Sequence, residues 1–162
     1  MNGKSTMASK KHELLSLVIA ELEKQKRELE AHAEETHRYA TEAPSPMESN
    51  SDKTRFEMNS LHGNMVEVIM GYERTLKSLD GFVFPEEGSV VGFGSLVDVS
   101  NEHGATSTIF LLPAVRNVTV KYDGTTCVAI SPETPLGGAL IGKREGDEVL
   151  VNTRRIKILR VR

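Results

Sequence analysis

What constrains this chain most is a change of hydrophobic period partway along it. Between Lys10 and about Glu42 the apolar residues are Leu14, Leu15, Val18, Ile19, Leu22, Leu29 and Ala33. Leu15, Leu22 and Leu29 recur every seven residues, with charged residues on the other faces. A second stripe runs through Met58, Leu61, Met65, Val68, Tyr72, Leu76 and Leu79 at alternating three and four, with one slip near Thr75. Two such stripes joined by a short break predict an antiparallel helical hairpin of coiled-coil character. In the break, APSPMESNS, Pro44 keeps Ala43 out of helical geometry and ends the first helix near Glu42. Ser45, Pro46, Met47 and Glu48 then spell a capping box with proline at the first helical position. Arms at 9–42 and 46–80 are thus expected, with a tip near 43–50.

At about 1.5 Å per residue each arm is roughly 50 Å long. A two-helix rod of that length buries too little surface to be a compact domain, so its expected purpose is to project from a body. Gln25 and Lys26 interrupt the first stripe, and a dimerising coiled coil stays open as the plainer reading.

After Asp80-Gly81 the period becomes two. The runs SVVGFGSLVDVS, STIFLLPA, VTVKY, TTCVAI, EVLVN and RIKILRV are rich in β-branched residues and separated by Gly, Asn, Asp and Pro. They predict five or six short strands, with a helical turn at Pro135 to Ile141. The fold class is therefore α+β: a helical hairpin over residues 1–82, then a small, mostly antiparallel β-rich domain over 83–162, joined through FVFPEEG. The C-terminal RRIKILRVR alternates like an edge strand with solvated Arg and Lys.

Charge narrows the function. Residues 1–83 carry 11 Lys+Arg and 14 Asp+Glu, and residues 84–162 carry 9 of each. Neither half is a basic platform, so autonomous binding to DNA or RNA is not expected. The apolar runs fall well short of the roughly 20 residues that span a bilayer, and the polar start MNGKSTMASKK offers no signal-peptide core; a cytoplasmic protein is expected. The single cysteine, Cys127, sits in an apolar run and reads as a core residue. His12, His32, His37, His62 and His103 show no i,i+4 pair and no neighbouring cysteines, so no structural zinc site is expected. Gly92-Phe93-Gly94 lacks the third glycine and the helix of a dinucleotide site, and neither a P-loop nor a Gly-x-Ser-x-Gly elbow is present.

Ser131 to Asn152, SPETPLGGALIGKREGDEVLVN, closely resembles the C-terminal domain of the Gre transcript-cleavage factors. Pro135-Leu136-Gly137-Gly138-Ala139-Leu140, Gly142-Lys143 and Gly146-Asp147 supply that family's elements in order, and Gly94-Ser95-Leu96-Val97 is similar to its Gly-Ser-x-Val lead-in. With a hairpin of suitable length ahead of these motifs, the resemblance spans nearly the whole chain. It implies an FKBP-like C-terminal domain and a hairpin that enters the secondary channel of RNA polymerase. It also implies polymerase contacts at Pro135, Leu136, Gly137, Gly138 and Lys143, contact with nascent RNA only indirectly, and no catalysis by the chain itself.

Gre factors place an acidic pair at the hairpin tip, where it helps hold an Mg²⁺ in the polymerase active site that activates water to cut backtracked RNA. The resemblance carries this role to Glu48 and Glu42, within the polymerase complex only, with Asp52 as the third acid of the tip. The family's leading Asp is absent here, and Glu48 also closes the capping box with Ser45. No cofactor bound by the chain alone is implied, only Mg²⁺ shared with the polymerase, and a monomer is expected. Two alternatives stand beside this reading. One is a Gre-like channel modulator or inhibitor without cleavage stimulation. The other is an FKBP-like prolyl isomerase, whose aromatic pocket is hard to assemble from three Tyr, five Phe and no Trp.

Overall fold

A computed structural model describes the backbone of residues 3–42, 49–85 and 88–162, with side chains apart from those of 3–6, 40, 42 and 49–52. Two long helices, α1 (Gly3–Glu42) and α2 (Ser49–Leu79), precede β1 (Leu96–Asn101), β2 (Thr106–Leu111), β3 (Val118–Tyr122) and β4 (Thr125–Ile130). A short α3 (Pro135–Leu140), β5 (Glu148–Val151) and β6 (Arg154–Val161) complete the order. The helical hairpin and the β domain expected from the periods are both present. α1 ends where Pro44 requires, but starts ahead of its apolar stripe, because Met7, Ala8 and Lys10 favour helix without needing a buried face. The capping box at Ser45 to Glu48 lies outside the described residues.

The chain forms two compact units, Met1–Glu21 with Lys77–Arg162, and Leu22–Leu76. In the second, α1 and α2 run antiparallel. The partly buried residues of α2 here include Arg55, Met58, His62, Met65, Ile69, Tyr72 and Leu76, a series spaced by three and four, with Gly71 and Thr75 beside it. Leu61 and Val68, counted in the stripe from sequence, are instead 45% and 51% exposed. A stripe chosen by apolarity alone drifts by one residue at two points, because the seam accepts His62 where an apolar residue was sought. Gln25 and Lys26 have partners within the hairpin: the Tyr72 hydroxyl donates to Gln25 Oε1 at 3.2 Å, and Lys26 Nζ lies 3.0 Å from Glu73 and 3.3 Å from Glu30. This polar layer joins the two arms, and the neighbouring carboxylates raise the Lys26 pKa above its ordinary value. Polar residues at such seam positions specify register at some cost in stability.

The first unit holds a six-stranded sheet of order β3-β4-β2-β1-β6-β5. Every neighbouring pair is antiparallel except β2 and β4, which run parallel. β6 is therefore an interior strand, not the edge its alternation suggested: β5 folds back through Asn152-Thr153 and covers its outer side. The alternation itself is real, since Ile158 is fully buried while Arg155, Lys157 and Arg160 are exposed. One face of the sheet carries the core of Val97, Val99, Ile109, Leu111, Ile130, Val149 and Ile158, packed with Leu140 and Val91 and flanked by Leu136 and Ala139 of α3. Asp98 points to the other face, accepts from Thr108 Oγ1 at 2.8 Å and pairs with Arg162.

β1 starts at Leu96 rather than at residue 89 because Gly94 turns the chain with φ +79°. A Cβ there would lie 2.8 Å from the Phe84 ring. That ring is held edge-on by His12 at 4.8 Å and Phe82 at 5.3 Å and lies parallel to Phe110 at 6.1 Å. The Tyr122 hydroxyl donates to Glu13, and Lys10 Nζ sits 5.2 Å from the same ring. These contacts join the first turns of α1, the segment after α2 and the strands.

Candidate functional site

The first candidate, the hairpin tip, is framed by the end of α1 at Glu42 and the start of α2 at Ser49. Glu48 lies outside the described residues, as do the side chains of Glu42 and Asp52. Among the described residues no group of three or more His, Cys, Asp or Glu could hold a metal ion.

The second candidate is α3 with the loop after it. Thr134 caps the helix: its hydroxyl accepts from the Gly137 amide at 3.1 Å and donates to the Ser131 carbonyl at 2.7 Å. Pro135 then fills the first turn, where its missing N–H is no loss. Gly137 is buried, and a Cβ on it would fall onto the Ser131 carbonyl oxygen; at Gly138 it would come 2.9 Å from the Pro132 carbonyl oxygen. Both glycines thus have a packing reason to be there. Leu136 packs against the core, whereas Pro135, Gly138 and Lys143 are exposed.

The loop of Lys143 is stitched to the segment ahead of β1. The Val91 amide donates to the Lys143 carbonyl and the Gly142 amide to the Val91 carbonyl, both at 2.8 Å, and Val90 bridges Arg144. Asp147 closes the following turn by accepting from the Arg144 amide at 2.8 Å. Beside the expected residues this arrangement exposes Val90, Phe93 and Ile141, which sequence reading missed. Val90 and Phe93 lay in a run read as strand, and what sets them apart is that this part of the run forms no strand beyond the single bridge from Val90 to Arg144.

Cys127 is buried, and burial pushes its thiol up to about 11, with the Asp98 charge adding to the effect and Arg162 opposing it. That is the state of a core cysteine, not of a nucleophile. Among the described residues no helix is long and apolar enough to cross a membrane.

The β domain is thus a six-stranded sheet with a proline-started helical turn against one face. Residues 86–162 match the family described as "Transcription elongation factor, GreA/GreB, C-term". The match covers the β domain, which carries that family's C-terminal pattern. Among solved structures, GreA factor homolog 1 (Gfh1) of Thermus thermophilus is similar at 19% identity, over 90% of this chain and 95% of that one, with a TM-score of 0.37. Thermus aquaticus Gfh1 is similar at 18% identity, over 90% and 94%, with the same TM-score. No curated protein matches the sequence.

Proposed function

We propose that the chain regulates transcription elongation by binding RNA polymerase through its β domain and inserting the hairpin into the secondary channel. The observation that carries this is the family match over residues 86–162 in a chain whose preceding residues form a two-helix hairpin. On this reading the exposed Pro135, Gly138 and Lys143 face the polymerase, and the chain meets nascent RNA only through the tip. It carries out no reaction of its own. Three of its five phenylalanines, Phe82, Phe84 and Phe110, are packed on one another, which supports this over a prolyl isomerase pocket.

At the tip, Glu48 and Glu42 are the residues that would offer oxygen ligands to an Mg²⁺ shared with the polymerase. Mg²⁺ takes only one or two carboxylates from such a partner, and its chemistry is to activate water against the RNA phosphate. The second reading, a channel modulator without cleavage, is favoured by the absent leading Asp. The test is transcript cleavage in stalled, backtracked complexes with wild type, Glu48→Gln and Glu42→Gln at saturating protein. A steep loss in Glu48→Gln supports the metal role, because Gln still completes a capping box. No stimulation by wild type, together with slowed elongation, supports the modulator.

A further inference from the structure

The fold sets the tautomer of His62. Its Nδ1 lies 3.0 Å from the Ala33 carbonyl oxygen on the opposite arm. A carbonyl only accepts, so Nδ1 carries the hydrogen and the neutral ring keeps the lone pair of Nε2. His37, one turn beyond Ala33 on α1, brings its ring to a centroid distance of 4.9 Å, with the two planes at 34°.

That distance fits a shared ion. A zinc–nitrogen bond of about 2.1 Å places an imidazole centre about 3.2 Å from the metal, so two imidazoles on one tetrahedral ion have centres about 5 Å apart. A second ring nitrogen held by a backbone carbonyl, as in His62, is also the usual way a ligating histidine is oriented. The pairing was invisible in sequence, because the i,i+4 rule concerns one helix and these histidines sit on two.

We infer that His37 and His62 form an inter-helix clamp for a borderline divalent transition ion of the zinc class, with water completing the coordination. With no third protein ligand among the described residues, the site is open and its occupancy follows the ion's concentration. Imidazole nitrogens prefer such ions to Mg²⁺, so the clamp is chemically separate from the acidic tip. The seam around it holds Ala33, Thr36 and Met65, with Thr36 Oγ1 4.0 Å from Met65 Sδ. A bound ion therefore ties the two arms to each other at this layer.

The test uses untagged full-length protein and Zn²⁺ in competition with a chromophoric chelator, with thermal melting of the helical signal alongside and Cu²⁺ as a spectroscopic probe of nitrogen ligands. The expected result is one Zn²⁺ per chain, a zinc-dependent rise in Tm and a Cu²⁺ spectrum with two imidazole nitrogens. His37→Gln and His62→Gln should each weaken Zn²⁺ binding at least about tenfold and remove one nitrogen, while His32→Gln changes neither. The glutamine side chain introduced by His62→Gln can still donate to the Ala33 carbonyl. If His62→Gln nonetheless disturbs the helices, the exposed His37→Gln decides alone. Zn²⁺ binding unchanged in His37→Gln, or no zinc-dependent shift in wild type at saturation, overturns the proposal.

Discussion

Thr153 holds a backbone conformation that its side chain opposes: with φ 71° beside Asn152 at φ 47°, it completes a tight left-handed turn between β5 and β6. Such turns favour Asn-Gly, and a β-branched residue there stores strain. Thr153→Gly should therefore stabilise the fold by about 1 kcal/mol, read from the urea midpoint. Gly137 is the opposite case. Gly137→Ala should cost about 3 kcal/mol, because the Cβ meets a backbone carbonyl that is itself fixed by Thr134. Cys127 supplies a pH signature. Its thiol is raised from 9.0 to about 11, so above about pH 9 the unfolded chain releases its proton first and folding stability falls as pH rises through that window. Tyr122, raised above 10.0 by donating to Glu13, acts in the same direction. Urea midpoints between about pH 8 and about pH 11 should fall in wild type and fall less in Cys127→Ala. That Cys127 lies in the core was legible in sequence from its apolar neighbours. The reason for Gly137 was not, because it depends on where the Ser131 carbonyl comes to rest in the folded chain.

At the scale of elements, sequence periodicity located both helices, the strands and the α3 turn, since each follows from local pattern and turn chemistry. It failed where a partner decides. The RIKILRV run looks the same whether β5 covers it or solvent does, and the seam residue His62 looks polar until Ala33 is placed opposite it. Gln25 and Lys26 were ambiguous for the same reason, and their ties to Tyr72 and Glu73 now make them part of an intramolecular hairpin. Tyr72→Phe leaves Gln25 Oε1 without this donor and should lower hairpin stability by about 1 kcal/mol, measured as a drop in the melting midpoint of the helical signal. An unchanged midpoint would mean that the layer contributes nothing to the pairing of the arms.

For the whole molecule, residues 86–162 match the GreA/GreB C-terminal family and follow a two-helix hairpin, and the resemblance at Pro135 to Asp147 was legible because several short motifs occur in order. The tip was only half legible. Its acids can be counted, yet Glu48 serves a capping box and a metal site equally well on paper. That choice leaves the central claim untouched, because the claim rests on the β domain engaging the polymerase whether or not cleavage follows. The most direct measurement is therefore binding of the labelled full-length chain to bacterial core RNA polymerase, with Lys143→Glu as the surface variant. The predicted result is saturable one-to-one binding that Lys143→Glu weakens without loss of folding, since Lys143 is exposed. Absence of binding at protein concentrations well above those that saturate a GreA or GreB control would contradict it.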